Sequence, residues 1–331
     1  MSPAGLTSVQ PLPSIILVPG PLMSSDLVVL AINETTPGRP SYHHLEPLWL
    51  VLNPNSKLIV EGNSLRTTHR ITGLGRNTIL RLVELAGERC EALLTAKLRN
   101  LPVSDVQCDE IWGFVGKKNA HKRGTEDNFS EIGHAWVFVG IERTSKLVLA
   151  HHLGKRTVKH ATVFMRKLAS ATDPTQKFQL TTDGLGAYPL AVGNVLGHQG
   201  ERVDYARLIK IYAPDASEDV RRYSPARLAE AIPTPVYGDP DEKRICTSHV
   251  ERQNLTMRMC MRRLTRLTNG FSKKWGNLRA ALALHFAWYN FCRKHMTLKG
   301  ATPAIAAGLT DHVWSIQEIL VADATVFLAA V

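Results

Sequence analysis

Between Cys108 and Tyr212, β-rich and helical patterns alternate in an order that few folds accommodate. CDEIWGFVG (108–116), HAWVFVGIE (134–142) and KLVLAHHLG (146–154) are rich in β-branched and aromatic residues, the last two separated by the turn-like Arg143, Thr144 and Ser145. They predict a three-strand meander. Helical periodicity follows over 158–171, then the strand FQLTTD (178–183), a helix over about 186–196 and a strand around Tyr205 to Tyr212. A strand reached through a crossover helix pairs in parallel, so the expected sheet is mixed. Residues 213–247, rich in Pro, Asp and Arg, read as a long, partly ordered insertion, after which a long helix opens near Ser248.

Three antiparallel strands, then helix, strand, helix, strand and a late helix is the ribonuclease-H-like order, with five strands in a mixed α/β sheet flanked by helices. That unit is expected over residues 101–310, with a C-terminal tail at 311–331. Ahead of it, residues 62–90 carry Leu65, Ile71, Leu74, Ile79, Leu82 and Val83 at helical spacing, with Gly73 as the natural turn. This predicts two helices in residues 56–100, either a packing hairpin or a small helix-turn-helix domain. In the second reading Arg76, Asn77, Thr78 and Arg81 begin the helix that enters a DNA groove. Nine of the eighteen prolines fall in the first 54 residues, so 1–55 is expected to be an irregular, disordered leader.

The charge is uneven. Lys and Arg outnumber Asp and Glu by 40 to 29, a net +11. From Arg252 to Thr310 there is no acid, while Arg252, Arg258, Arg262, Arg263, Arg266, Lys273, Lys274, Arg279, Arg293, Lys294 and Lys299 supply the whole excess. So long an acid-free run favours a polyanionic partner such as nucleic acid over a merely solvated face. Lys117 and Lys118, at the end of the first strand, are expected to add to it. Five dispersed cysteines without a CxxC pair argue against a zinc ribbon or a disulfide framework and suit a reducing cytoplasm. No apolar run reaches bilayer length, and the patch from Ser14 to Pro19 is too short for a secretory signal, so no membrane association is expected.

Three acids stand out by context. Asp109 heads the first strand, Asp183 ends the fourth beside Gly184 and Gly186, and Glu251 sits alone among the arginines of the late helix. In a sheet of this order the three converge. Carboxylates brought together repel unless cations lie between them, and hard divalent ions such as Mg2+ prefer oxygen donors. Strand alternation puts Asp109 and Glu110 on opposite faces, so only one is expected to join, and Asp109 is preferred. Asn254 and Arg258 share a helix face with Glu251, with Arg262 continuing the stripe; Asn254 would position an ion or DNA, and Arg258 a base or phosphate. Trp275 and the run 285–291 read as core, and His151, His152 and His160 as surface residues.

CDEIWGFVGKK, TTDGLGAYP and SHVERQNLTMRMCMRRLTRLTNGFSKK together resemble the three catalytic regions of DDE transposases of the Insertion Sequence 1 type. YNFCRKHMTLKGATPAIAAGL resembles the closing segment of many DDE transposases and integrases, and the likeness spans roughly residues 60–310. It implies that Asp109, Asp183 and Glu251 bind two Mg2+ or Mn2+ ions, and that a homo-oligomer cleaves insertion-sequence ends and joins the 3'-hydroxyl to target DNA. Double-stranded DNA, as terminal inverted repeats and target, is the implied partner, and a bacterial, nucleoid-associated location follows. The cysteine zinc motif that often precedes the helix-turn-helix in relatives has no counterpart in the first 55 residues. Two other readings stay open: a structure-specific nuclease of the same fold, and a catalytically silent DNA-binding remnant.

Overall fold

The sheet is built around β1 (Asp105–Val115), whose burial is almost continuous because helices cover both faces. The computed structural model describes residues 58–123, 131–198, 200–213 and 228–322, so the expected leader lies outside the described residues. β1 pairs antiparallel with β2 (Gly133–Glu142), and β2 antiparallel with β3 (Val148–Gly154). On its other side β1 pairs in parallel with β4 (Phe178–Thr182), which pairs in parallel with β5 (Val203–Tyr212). Crossover helices α3 (Val158–Ala171) and α4 (Ala187–Leu196) connect the parallel strands. The order β3-β2-β1-β4-β5 is ribonuclease-H-like.

A sixth strand corrects the five-strand expectation. β6 (Leu228–Tyr237) runs antiparallel to β5 inside the segment expected to be an irregular insertion. Pro233 and Pro235 hid it, since a proline cannot donate to a ladder. As the outer strand of the sheet, β6 tolerates them, pairing Pro233 with Leu208 and Pro235 with Ala206. Residues 214–227 of that segment lie outside the described residues.

Register assigns the two faces. Glu110, Phe138 and His152 are directly paired across β1, β2 and β3 and so share one face, where Phe138 meets Phe164 of α3 and Tyr188 of α4. Asp109, Val139 and His151 share the other. That face is covered by α5 (Ser248–Cys260) and α6 (Trp275–Phe291), with His151 against Phe286 at 4.6 Å. The three histidines are therefore not the surface residues expected. His151 is buried and pairs with Glu91, and His152 Nε2 lies 2.9 Å from His160 Nδ1.

The two N-terminal helices form where the spacing predicts. Ser64 caps α1 (Leu65–Thr72) by accepting from the Thr67 amide, and Gly73, at φ 74°, ends it in the left-handed region that favours glycine. α2 (Arg76–Lys97) is one helix of 22 residues. Its buried stripe, Ile79, Leu82, Val83, Ala86, Cys90, Leu93 and Leu94, follows the helical repeat and lies along α6. Apart from Arg279, α6 is buried from Asn277 to Phe291, which bears out the core reading of 285–291. One continuous core therefore joins residues on both sides of the expected boundary at residue 100. The expected tail is also part of it. After the short α7 (Pro303–Ala306), α8 (Ile316–Val321) buries Ile316 and Ile319, and Arg89 Nη1 donates to the Leu320 carbonyl at 2.9 Å.

His285 of α6 is 2% exposed and burial drives its pKa down from 6.5 to about 3. The unfolded chain therefore binds a proton below about pH 6.5 that the folded chain refuses until about pH 3. Stability is full above pH 6.5 and falls as pH drops through that window, by up to about 1.4 kcal/mol per pH unit for this one site. His152 and His295, both pushed down to about 4 chiefly by burial, act with the same sign. Chemical unfolding of wild type and His285→Phe between pH 7 and pH 4 is expected to give the variant the shallower loss; parallel curves would refute this.

Candidate functional site

Asp109 stands in the middle of β1 rather than at its head, because the strand begins at Asp105, three residues before the expected start at Cys108. The β1–β4 ladder stops at Cys108 opposite Thr182, so Asp109 and Asp183 occupy the next position, where β4 has ended and its chain turns away. Asp183 Oδ1 accepts from the Leu185 amide at 3.0 Å, a side-chain turn that holds the loop into α4. Asp109 Oδ1 accepts from the Glu110 amide at 2.8 Å, and its Oδ2 accepts from Asn254 Nδ2 of α5 at 2.9 Å.

Ligand oxygens of Asp109, Glu110 and Asp183 lie within 4.8 Å of one another. Alternation along β1 does keep the two neighbours on opposite faces, yet it does not exclude Glu110 as expected. Asp183 lies beyond the end of its strand, free of the pleat, and is reached from both faces. The Glu110 side chain is 1% exposed. Arg156, in the turn after β3, sits 3.5 Å from Glu110 Oε2 and 3.6 Å from Asp183 Oδ2, with its guanidinium over the Trp136 ring. Glu110 Oε1 is buried with no hydrogen-bond partner among the described residues.

Burial, and then the neighbouring Asp183 carboxylate, raises Asp109 to about 6. The same two causes, joined by Asp109 and opposed by Arg156, raise Glu110 to about 8. Asp183 is also raised, mainly by burial, while the Leu185 amide and Arg156 pull it down. A set of hard oxygen donors that resists losing its protons fits a divalent cation, whose charge would offset the mutual repulsion.

Glu251, the third expected member, is not in this cluster. Its side chain is 44% exposed, ion-paired with Lys210 of β5 and hydrogen-bonded by Thr247 Oγ1. It is close enough for its charge to raise Asp109 further. Lys210, Thr247 and Arg156 carried no signal in the sequence, since each becomes meaningful only through a partner distant along the chain.

The expected DNA contacts divide. Arg76, Asn77 and Arg81 are exposed on α2, with Thr78 half-buried; Arg252, Arg262, Arg266, Lys273 and Lys274 are exposed as well. Lys117 is half-buried, and Lys118 lies over Trp112 and Phe114 at 5.9 and 5.8 Å from their centroids. Arg258 does not reach outward as expected. It donates to the backbone carbonyls of Leu264 and Trp112 at 2.8 and 3.2 Å, and burial, then Arg266, lowers it to about 10. Arg262 does not continue the helical stripe, because α5 ends at Cys260, and Arg263 is taken up by Ser272 Oγ at 2.9 Å.

No protein-family profile and no curated protein matches the chain. Among solved structures, a piggyBac transposase synaptic complex with hairpin DNA aligns over 87% of this chain and 72% of that one, at 10% identity and TM-score 0.40. The Mos1 strand transfer complex aligns over 50% and 59%, at 14% identity and TM-score 0.20. A Mos1 mariner paired end complex with Mn aligns over 49% and 60%, at 12% and 0.18. The chain thus spans less than two thirds of the Mos1 chains. Likenesses this distant add nothing to the fold assignment, which rests on strand order and register.

Proposed function

We propose that the chain is a metal-dependent DNA transposase of the DDE type, cleaving at element ends and transferring the freed 3'-hydroxyl to target DNA. The observation that carries the reading is the meeting of Asp109, Glu110 and Asp183 at the end of β4 in a ribonuclease-H-like sheet. An acid-free basic segment begins at Arg252 on the helix covering that face. Asp109 and Asp183 would hold Mg2+ or Mn2+, with Glu251 joining them once released from Lys210. Bound there, such ions supply Lewis-acid activation of an in-line phosphodiester displacement. Asn254 fixes the rotation of Asp109 through its 2.9 Å hydrogen bond. Arg156 keeps Glu110 and Asp183 together by facing both carboxylates. Double-stranded DNA with the element's terminal repeats is the proposed substrate, bound by a homo-oligomer that brings two ends together.

The engagement of Glu251 by Lys210 and Thr247 favours one rival, a binding-only remnant. Incubating linear DNA that carries the terminal repeats flanking the reading frame, with Mg2+ or Mn2+, separates the readings. Nicked and joined products are expected for the transposase. Cleavage without joining would replace it with a nuclease, and metal-independent binding without cleavage would leave the remnant. Lys210→Ala is expected to raise the rate of product formation if the ion pair restrains Glu251; an unchanged or lower rate rejects that restraint.

A further inference from the structure

A cavity of about 530 Å³ opens between the start of α2, the segment 261–273 and α6. By the rise of β1 it lies roughly 20 Å from the carboxylates, beside the strand's far end where Val115 bridges Ser272. Among the described residues its wall carries Arg66, Arg76, Arg262, Arg263 and Lys273 and no acid. Arg66, Arg76 and Arg262 are exposed and make no hydrogen bond or ion pair with any described residue. Three guanidiniums without described partners border one hollow with no acid beside them, an arrangement whose mutual repulsion a bound anion would relieve.

Two independent features point the same way. α2 begins after Gly75 with no side-chain cap, and its first residue, Arg76, lines the cavity, so the positive end of the helix dipole lies beside it. His285 lines the cavity, almost wholly buried, and neither ring nitrogen has a partner among the described residues. Buried polar atoms are rarely left so unless something else meets them. A cation would be repelled and an apolar ligand would leave every one of these donors unmet. An oxyanion rich in acceptors meets the guanidiniums, the helix amides and the one N–H of a neutral His285.

We propose that this cavity holds phosphate groups of a DNA strand, with Arg66, Arg76 and Arg262 pairing to adjacent phosphates at its mouth. The site joins two stretches of sequence about two hundred residues apart into one contact. The choice of DNA over a free nucleotide or polyphosphate rests on the function proposed above; the oxyanion chemistry does not.

The test uses the full chain in EDTA, where no cleavage occurs, and reads binding of a short labelled duplex by fluorescence anisotropy across a salt series. Arg66→Ala/Arg262→Ala is expected to weaken binding about tenfold or more and to lower the log–log salt slope by about two. Lys159→Ala/Arg166→Ala, exposed on α3 across the sheet, is expected to change neither. Pyrophosphate is expected to raise the Tm of wild type and to displace DNA from it, and to do neither with the Arg66/Arg262 variant. Equal effects from the two double variants would overturn the site. Stabilisation by pyrophosphate with unchanged DNA affinity would overturn the DNA occupant and leave a small-anion site. A protein that never cleaves DNA in Mg2+ would refute the transposase reading while leaving these binding results standing.

Discussion

Asp183→Asn is expected to abolish DNA cleavage while making the metal-free protein more stable at alkaline pH. If Asp183 holds a catalytic cation as proposed, removing its carboxylate forfeits several kcal/mol of transition-state stabilisation. At about 1.4 kcal/mol per tenfold, the rate falls by about a thousand-fold or more. The stability effect has the opposite sign for a reason visible in the site. Glu110 has a folded pKa of about 8 against an ordinary 4.5. The folded state keeps a proton that the unfolded state gives up above about pH 4.5, so this group's contribution is intact below that pH and is lost as pH rises through 8. Asp183 is one cause of the shift. Making it neutral therefore flattens the alkaline loss of Tm measured in EDTA. Mg2+ is expected to raise the Tm of wild type at pH 8 and to leave that of the variant unchanged. A variant that still cleaves, or a wild type whose Tm does not respond to Mg2+, would remove Asp183 from the reaction.

Gly87→Val is expected to lower stability by about 3 kcal/mol or more, which for a domain of this size lowers Tm by roughly 6–12 °C. In an exposed helix, replacing glycine by a residue with a side chain normally helps, by up to about 1 kcal/mol for alanine. Here a Cβ at Gly87 runs into the carbonyl oxygen and Cα of Ala280 on α6. Those are backbone atoms, and most of α6, including Ala280 and Ala281, is packed in the core, so the helix cannot shift away without disturbing it. The two helices would have to part along a contact that joins the N-terminal helices to the sheet. Gly87→Ala is expected to fall between wild type and valine, and Ala280→Gly to rescue valine only in part, because most of the clash is with backbone. Thermal unfolding of the four proteins checks the series, and an unchanged Tm for Gly87→Val would mean that the helices are not in this close contact.

The strands show how far a local pattern carries. β2, β3, β4 and β5 each begin and end within about two residues of their expected bounds, and α3 spans 158–171 as expected. These elements are buried on at least one face, so burial stamps its period on their sequence. β6 escaped because an exposed outer strand has no such period and carries two prolines. β1 was read three residues short because Asp105 and Gln107 are polar yet buried. Asp105 meets Arg143 and Arg244, and Gln107 Oε1 accepts from the His249 and Val250 amides at the start of α5. Neither compensation is visible along the strand itself.

For the candidate site, the sequence by itself determined the residue types and placed Asp109 on β1 and Glu251 and Asn254 on one helix. Asp109 and Asp183 lie together, and Asn254 donates to Asp109. Only the tertiary structure decided which groups share the cluster. Glu110 enters because the β1–β4 ladder ends at Thr182 and leaves Asp183 outside the pleat; Glu251 stands apart because Lys210, on a strand forty-one residues earlier, takes its carboxylate. The same distinction applies to the arginines. Their number and clustering are properties of the chain, but whether a guanidinium faces a backbone carbonyl, as in Arg258, or an open cavity, as in Arg262, depends on where the helix ends and what packs beyond it. Periodicity reports a residue's relation to its own element, whereas charge pairing is set by distances through space between elements, which no local pattern encodes.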